Sequence, residues 1–227
     1  MKWKLGLALI VAAATLQLSS SQSQAQFPLA GNSISRLVNS ARLNGQTALK
    51  LAAPMTLPPM VPTLADAFQE YTVVRALVSA SMPGVVGDHH IFTFYKLYAL
   101  EVLSRQTKIE EEPLHLDIPP ALLPLVHSEI LLRVSGGSLT INGVQAFQAC
   151  WDDKYTLEVG KEYLMALYLQ RGGDLALSAA GSSTILRIEN QKLIPLRTED
   201  NPFWQDIETL HNGDLNSLLV QARARLK

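Results

Sequence analysis

The chain has 227 residues, 48% of them hydrophobic, with 20 acidic and 19 basic side chains and a formal charge of −1. That suffices for one good core, or one domain plus a tail. The charge balance argues against nucleic acid as a partner, which normally wants a basic face, and a lone cysteine excludes a disulfide within the chain.

The N-terminus reads MKWKLGLALIVAAATLQLSSSQSQAQ. Lys2 and Lys4 form a basic start, Leu5 to Leu16 an apolar run, and Ser23-Gln24-Ala25 puts small residues where a signal peptidase reads. The pattern predicts a signal peptide over residues 1–25, cleaved between Ala25 and Gln26, and a secreted or periplasmic protein. A membrane anchor is the competing reading, but the run falls short of the ~20 residues a spanning helix needs. No later stretch is long and apolar enough to span a bilayer. Cleavage removes two lysines and no acid, which leaves 202 residues and a formal charge of −3.

Residues 26–62 carry Pro54, Pro58, Pro59 and Pro62, too dense for a helix or a central strand. Before them Ile34, Leu37, Val38 and Ala41 have helical spacing, interrupted at Gly45. The segment is expected to be a disordered Pro-rich leader with one marginal helix. At Thr63 a near capping box with Asp66 opens a short helix. In TVVRALVSAS, Val74, Ala76, Val78 and Ala80 alternate with Arg75, Leu77 and Ser79, the period of a half-buried strand. Pro83, Gly84 and Gly87 then predict a turn.

IFTFYKLYALEVLSR gives the strongest strand signal. One face holds Phe92, Phe94, Tyr98, Leu100 and Val102; the other holds Ile91, Thr93, Tyr95, Leu97 and Ala99. A strand covered on both sides suits a bent sheet or a small barrel. Residues 105–128, acidic and Pro-rich, read as an insertion. EILLRVS resumes the strand pattern, and Asn142-Gly143 is a turn signal. After the Cys150 loop come strands punctuated by Gly160-Lys161, the RGGD loop at 171–174 and Asn190-Gln191. The tail, 201–227, is expected to be helical: Asn212 or Asp214 offers a cap, and Leu215, Leu218, Leu219 and Ala222 form an apolar stripe. The whole reads as a mainly β domain over 63–200, flanked by a short N-terminal and a C-terminal helix.

The order of these strands resembles a broad group of uncharacterised secreted bacterial proteins. The matching residues are Ile91, Thr93, Leu97, Val102 and Leu103; Val134, Gly136 and Gly137; and Val159, Gly160, Glu162, Tyr163, Leu164 and Leu167. The resemblance covers roughly residues 63–196. It implies a small antiparallel barrel of the OB or netrin-like type and no activity. This chain departs from the group in its 105–128 insertion and its longer Cys150 loop.

Four features invite chemistry. Gly136-Gly137 could cradle a phosphate, but SLTI follows rather than a helix, so a turn is expected. His89, His90 and His127 are the metal-ligand candidates, with Asp88, His115 and Asp117 nearby in sequence. Neighbours on a strand face opposite ways, so His89 and His90 would not easily share a metal, and exposed loop histidines are the plainer reading. Cys150 is followed by Trp151 and by Asp152-Asp153, the wrong company for a reactive thiolate. The IFTFY aromatics could stack sugars or bases, though core packing suits them better. No Gly-x-Ser-x-Gly elbow occurs. No catalytic residue and no cofactor is assigned. The sequence therefore favours a non-enzymatic binding or envelope-associated module, its partner a protein or an envelope glycan. A metal-dependent or other hydrolase using the loop histidines is the alternative, and a protease-inhibitor-like netrin-type module the second.

Overall fold

The computed structural model describes residues 33–52, 62–105, 118–123, 125–126, 128–149, 156–169, 175–178 and 181–225. The predicted signal peptide, the acidic run, Cys150 and the RGGD loop lie outside these residues. Among the described residues no helix is long and apolar enough to cross a membrane.

The fold is mainly β. In chain order the elements are α1 (Ile34–Leu43), β1 (Ala48–Leu51), α2 (Leu64–Glu70), β2 (Thr72–Val86), β3 (His90–Val102), β4 (Glu129–Ser135), β5 (Gly137–Ile141), β6 (Val144–Gln148), β7 (Glu162–Leu169), β8 (Leu175–Ser178), β9 (Ile185–Glu189), β10 (Lys192–Pro195), α3 (Pro202–His211) and α4 (Leu215–Arg225). Seven strands form one sheet in the order β10-β9-β7-β2-β3-β4-β8, and β8 also pairs with β7. The expected antiparallel pattern holds for most pairs. It fails at β4–β8 and β1–β6, which run parallel.

β2 and β3 are long because each does two jobs. Their register slips twice: Arg75 and Ala76 oppose Glu101 and Ala99, and Val78 and Ala80 oppose Leu97 and Lys96. Leu100 on β3 and Ser79 on β2 are thus extra residues, and an extra residue bends a strand and shifts its faces. Val74, Ala76 and Val78 pack inward with Leu97, Leu132 and Met165, whereas Ala80 turns to the opposite cluster around Phe94. Val102 packs inward rather than outward with Tyr98. Both depart from uninterrupted alternation, and a bulge is the cause in each case.

The turn expected at Pro83-Gly84 is not there. β2 continues to Val86, with Pro83 opposite Thr93. Beyond Leu77, β2 pairs with β3 alone, so Pro83 withdraws its missing N–H from an edge, where a sheet tolerates it. The chain reverses at Gly87-Asp88, both of positive φ. The expected reversals at Asn142-Gly143 and Asn190-Gln191 are present, with positive φ throughout.

The outer side of the large sheet is covered at two places. At one, α2, α3 and α4 bury Leu64, Phe203, Ile207 and Leu218 against Val73, Leu164 and Leu186. Thr63 caps α2 through a reciprocal box with Asp66. At the other, the end of the insertion lies flat: Ile118, Leu122 and Leu125 cover Phe94 and Leu131. Gly84 makes room for it, since a Cβ there would stand 3.1 Å from both the Phe94 ring and Pro119.

Within the expected leader, residues 33–52 include the expected helix, α1. They fold as an arm, α1 plus β1, on the smaller sheet β1-β6-β5. Its local signals are weak, so its order comes from burial: Ile34, Val38, Leu49 and Leu51 pack with Ile91, Val144 and Ala146. The Gly136-Gly137 pair is a corner that carries the chain from β4 in the large sheet to β5 in the small one.

Candidate functional site

The Gly87-Asp88 turn presents Asp88, His89 and His90 in succession. Asp88 is occupied. Its carboxylate accepts hydrogen bonds from the Ser33 hydroxyl, from the Ser35 amide at 3.1 Å and from the Ser35 hydroxyl at 2.7 Å, and its carbonyl accepts from the Ile34 amide at 2.7 Å. The hydroxyl of Ser33, then that of Ser35, hold the Asp88 carboxyl below its ordinary value. It is a helix cap supplied from a distant turn.

His89 and His90 are both exposed. The His90 ring meets the Phe92 ring edge-on, with centroids 6.3 Å apart. Burial, then the positive neighbours His89 and Arg133, push the His90 imidazole below its usual value. The structure brings these two candidates together only as chain neighbours. His127, His115 and Asp117 lie outside the described residues, as do Cys150, Asp152 and Asp153. Among the described residues there is no group of three His, Cys, Asp or Glu side chains placed to hold a metal.

The IFTFY aromatics go to packing. Phe94 is fully buried beneath Leu122, and the Arg133 guanidinium sits 4.6 Å above the Phe92 ring. Tyr95 points inward, and its hydroxyl accepts from the Leu157 amide at 3.4 Å. Tyr163 does the same for the Glu158 amide at 2.9 Å. These two phenols hold the loop that enters β7. Burial is the first cause raising the Tyr163 hydroxyl.

At the corner, Gly136 donates to the Ile91 carbonyl at 2.9 Å and accepts from the Thr93 hydroxyl at 2.9 Å. Its carbonyl and amide are committed to β3. Gly137 has φ +142°, and a Cβ on it would lie 2.7 Å from Thr93 Oγ1. Only glycine fits the bend. The pair opens a strand, not a helix, so the donors a phosphate cradle requires do not converge there.

Two other features were missed in the sequence. At the α3–α4 turn, His211 is buried and its Nδ1 lies 3.0 Å from the Ser217 hydroxyl. Asp214, one of the two caps the sequence offered, accepts from the Ser217 backbone amide at 2.9 Å and caps α4. These contacts close the turn between the helices. The second feature is an exposed apolar strip on β3. Tyr98 is 43% exposed and Leu100 41%. Val126, 60% exposed, adjoins them through its amide, which donates to Glu129 Oε2 at 2.9 Å; Glu129 is the cross-strand partner of Tyr98. Ion pairs flank the strip: Arg75–Glu162 at 2.6 Å, Lys96–Glu129 at 2.9 Å and Arg223–Glu101 at 2.8 Å. Arg223, exposed near the end of α4, reaches across to β3, and the bond to Glu101 raises its guanidinium further. Leu100 shares the outward face of Tyr98 by simple alternation, and the bulge there brings Glu101 out beside it, where it meets Arg223. A bulge has no local sequence signature that would have flagged it.

Searches found no family model and no curated protein that matches this chain.

Proposed function

We propose that this chain is a secreted or periplasmic module of the OB or netrin-like barrel type, and that it binds a protein through the strip around Tyr98 and Leu100 rather than catalysing a reaction. The barrel reading is supported by the strand pairings. They run from β7 through β2, β3 and β4 to β8, the strand number of an OB-type Greek-key barrel, which is itself partly open. The signal-like N-terminus supports export.

The observation that carries the binding reading is the exposure of Tyr98, Leu100 and Val126 on or beside regular strands, within a rim of paired charges. An apolar centre with a polar rim is the anatomy of a protein interface, and an aromatic on a rigid strand loses little entropy when covered. Asp88, beside the two candidate histidines, is engaged in capping α1.

Two measurements test this. Envelope proteins cross-linked to the purified protein should be lost with Tyr98→Asp and retained with Ser79→Asp. Stoichiometric zinc or another transition metal in the mature protein, lost on His90→Ala, would overturn the proposal in favour of the metal-dependent alternative.

A further inference from the structure

The arm, residues 33–52, is held the way a bound peptide is held. Its helical end is gripped by Asp88, which takes the hydroxyls of Ser33 and Ser35 and the Ser35 amide on its carboxylate and the Ile34 amide on its carbonyl. Its strand end is gripped by Gln148, which is buried. The Gln148 side chain donates to the Ala52 carbonyl at 2.8 Å and accepts from the Ile91 amide at 2.6 Å. Between the two clamps β1 adds to the free edge of β6 in parallel register, Ala48 opposite Gln145 through Leu51 opposite Gln148. Addition of a strand to a sheet edge, with alternate side chains sunk into pockets, is a recognised mode of peptide capture. Leu49 and Leu51 are the alternate side chains here, and Ile34, Val38 and Ala41 anchor the helix.

The arm does not bury these side chains by itself. The cluster that contains them is completed by Ile91, Val144 and Ala146 of the body. Arm and seat are therefore a ligand and its site on one chain. The nine residues between Ala52 and Pro62 join them, with Pro54, Pro58 and Pro59 among them. Every contact just named would be made equally well by the arm of another copy, since the two chains are identical. Only the covalent link distinguishes the two.

We infer that the β6 edge, with Asp88 and Gln148 at its ends, is a peptide-accepting site, and that its second occupant is residues 33–52 of another copy of this chain. Two copies that trade arms make a swapped dimer at little cost, because no contact is new. The balance between one copy and two is set by the tether and by protein concentration.

The test uses full-length chains in a Cys150→Ser background. One carries Lys50→Cys on β1 and the other Phe147→Cys on β6; both positions are exposed and opposite each other in register. The two are mixed at high concentration, incubated, and joined with a short bis-maleimide. Exchange yields a cross-linked heterodimer several-fold above a control mixture of Lys50→Cys with Ser79→Cys, and the yield rises with concentration. Adding Asp88→Ala speeds its appearance, because one clamp is gone. Tyr98→Asp leaves the yield unchanged, which separates this inference from the binding strip. A heterodimer yield no higher than the control, at any concentration and with the Asp88→Ala chains, overturns it.

Discussion

The inner core of the large sheet and the cluster beneath the arm bury similar side chains in different ways. The first joins Val74, Leu97, Leu132, Met165 and Leu167 from strands that pair with one another in succession. No member can be exposed without parting β2 from β3 or β7, or β3 from β4. The second joins Ile34, Val38 and Leu49 to Val144 and Ala146, across a seam that one short strand and two polar clamps hold shut. A seam of that kind opens as a unit below the cost of global unfolding. Apolar burial alone does not say which behaviour a region has; the continuity of pairing around it does.

The largest effect should come from the inner core. Leu97→Ala leaves a cavity where the side chain is fully buried and should cost about 2–5 kcal/mol. It is read as a lower urea midpoint shared by all probes. Next, Leu49→Ala in the arm should cost about 2 kcal/mol, a change near thirtyfold in the opening equilibrium. Hydrogen exchange would show it in residues 33–51 while β7 amides keep their protection. If β7 loses protection to the same degree, the two regions form one unit and the contrast between them is wrong.

A smaller effect attaches to the clamp. Asp88→Asn should cost about 1 kcal/mol, as loss of a helix cap does, and loosen the same residues. The carboxyl of Asp88 is held below its ordinary value, so the unfolded chain takes up its proton first as pH falls. The stabilisation is complete above the ordinary carboxylate value of about 3.9 and is lost as pH falls through the lower folded value. Arm exchange should then accelerate in acid and stay flat between about pH 5 and 8. Acceleration in that neutral window would point to His90 instead. The smallest stability change is expected from Tyr98→Asp, within about 0.5 kcal/mol, although it removes the proposed partner contact.

How far these regions were legible follows from what each signal depends on. Period-two alternation identified β2, β3, β4 and β7, because each has one face in the core. It misplaced Ala80 and Val102, since counting in twos presumes that no residue is inserted, and neither Ser79 nor Leu100 differs from an ordinary strand residue. α3 was passed over. Its punctuation was present, with Asn201 as cap, Pro202 in the first turn and Asn212-Gly213 at its end, but its buried stripe is only Phe203, Ile207 and His211. The arm looked like a leader because β1 has four residues and its partner strand lies far along the chain. At the candidate site, the crowding of Asp88, His89 and His90 was visible as text. That Asp88 is already engaged depends on Ser33 and Ser35 folding back onto the turn, which no local pattern announces.

The corner at Gly137 has an evolutionary consequence. The smaller sheet continues from the larger one through that residue, and its place beside Thr93 admits no side chain. Every single-nucleotide change in a glycine codon that alters the residue adds at least a Cβ. Position 137 therefore has no neutral neighbour in sequence space, since a smaller residue at 93 would relieve the contact and leave the positive φ unchanged. Among diverging copies of this chain a substitution at 137 should survive only where the smaller sheet has been lost.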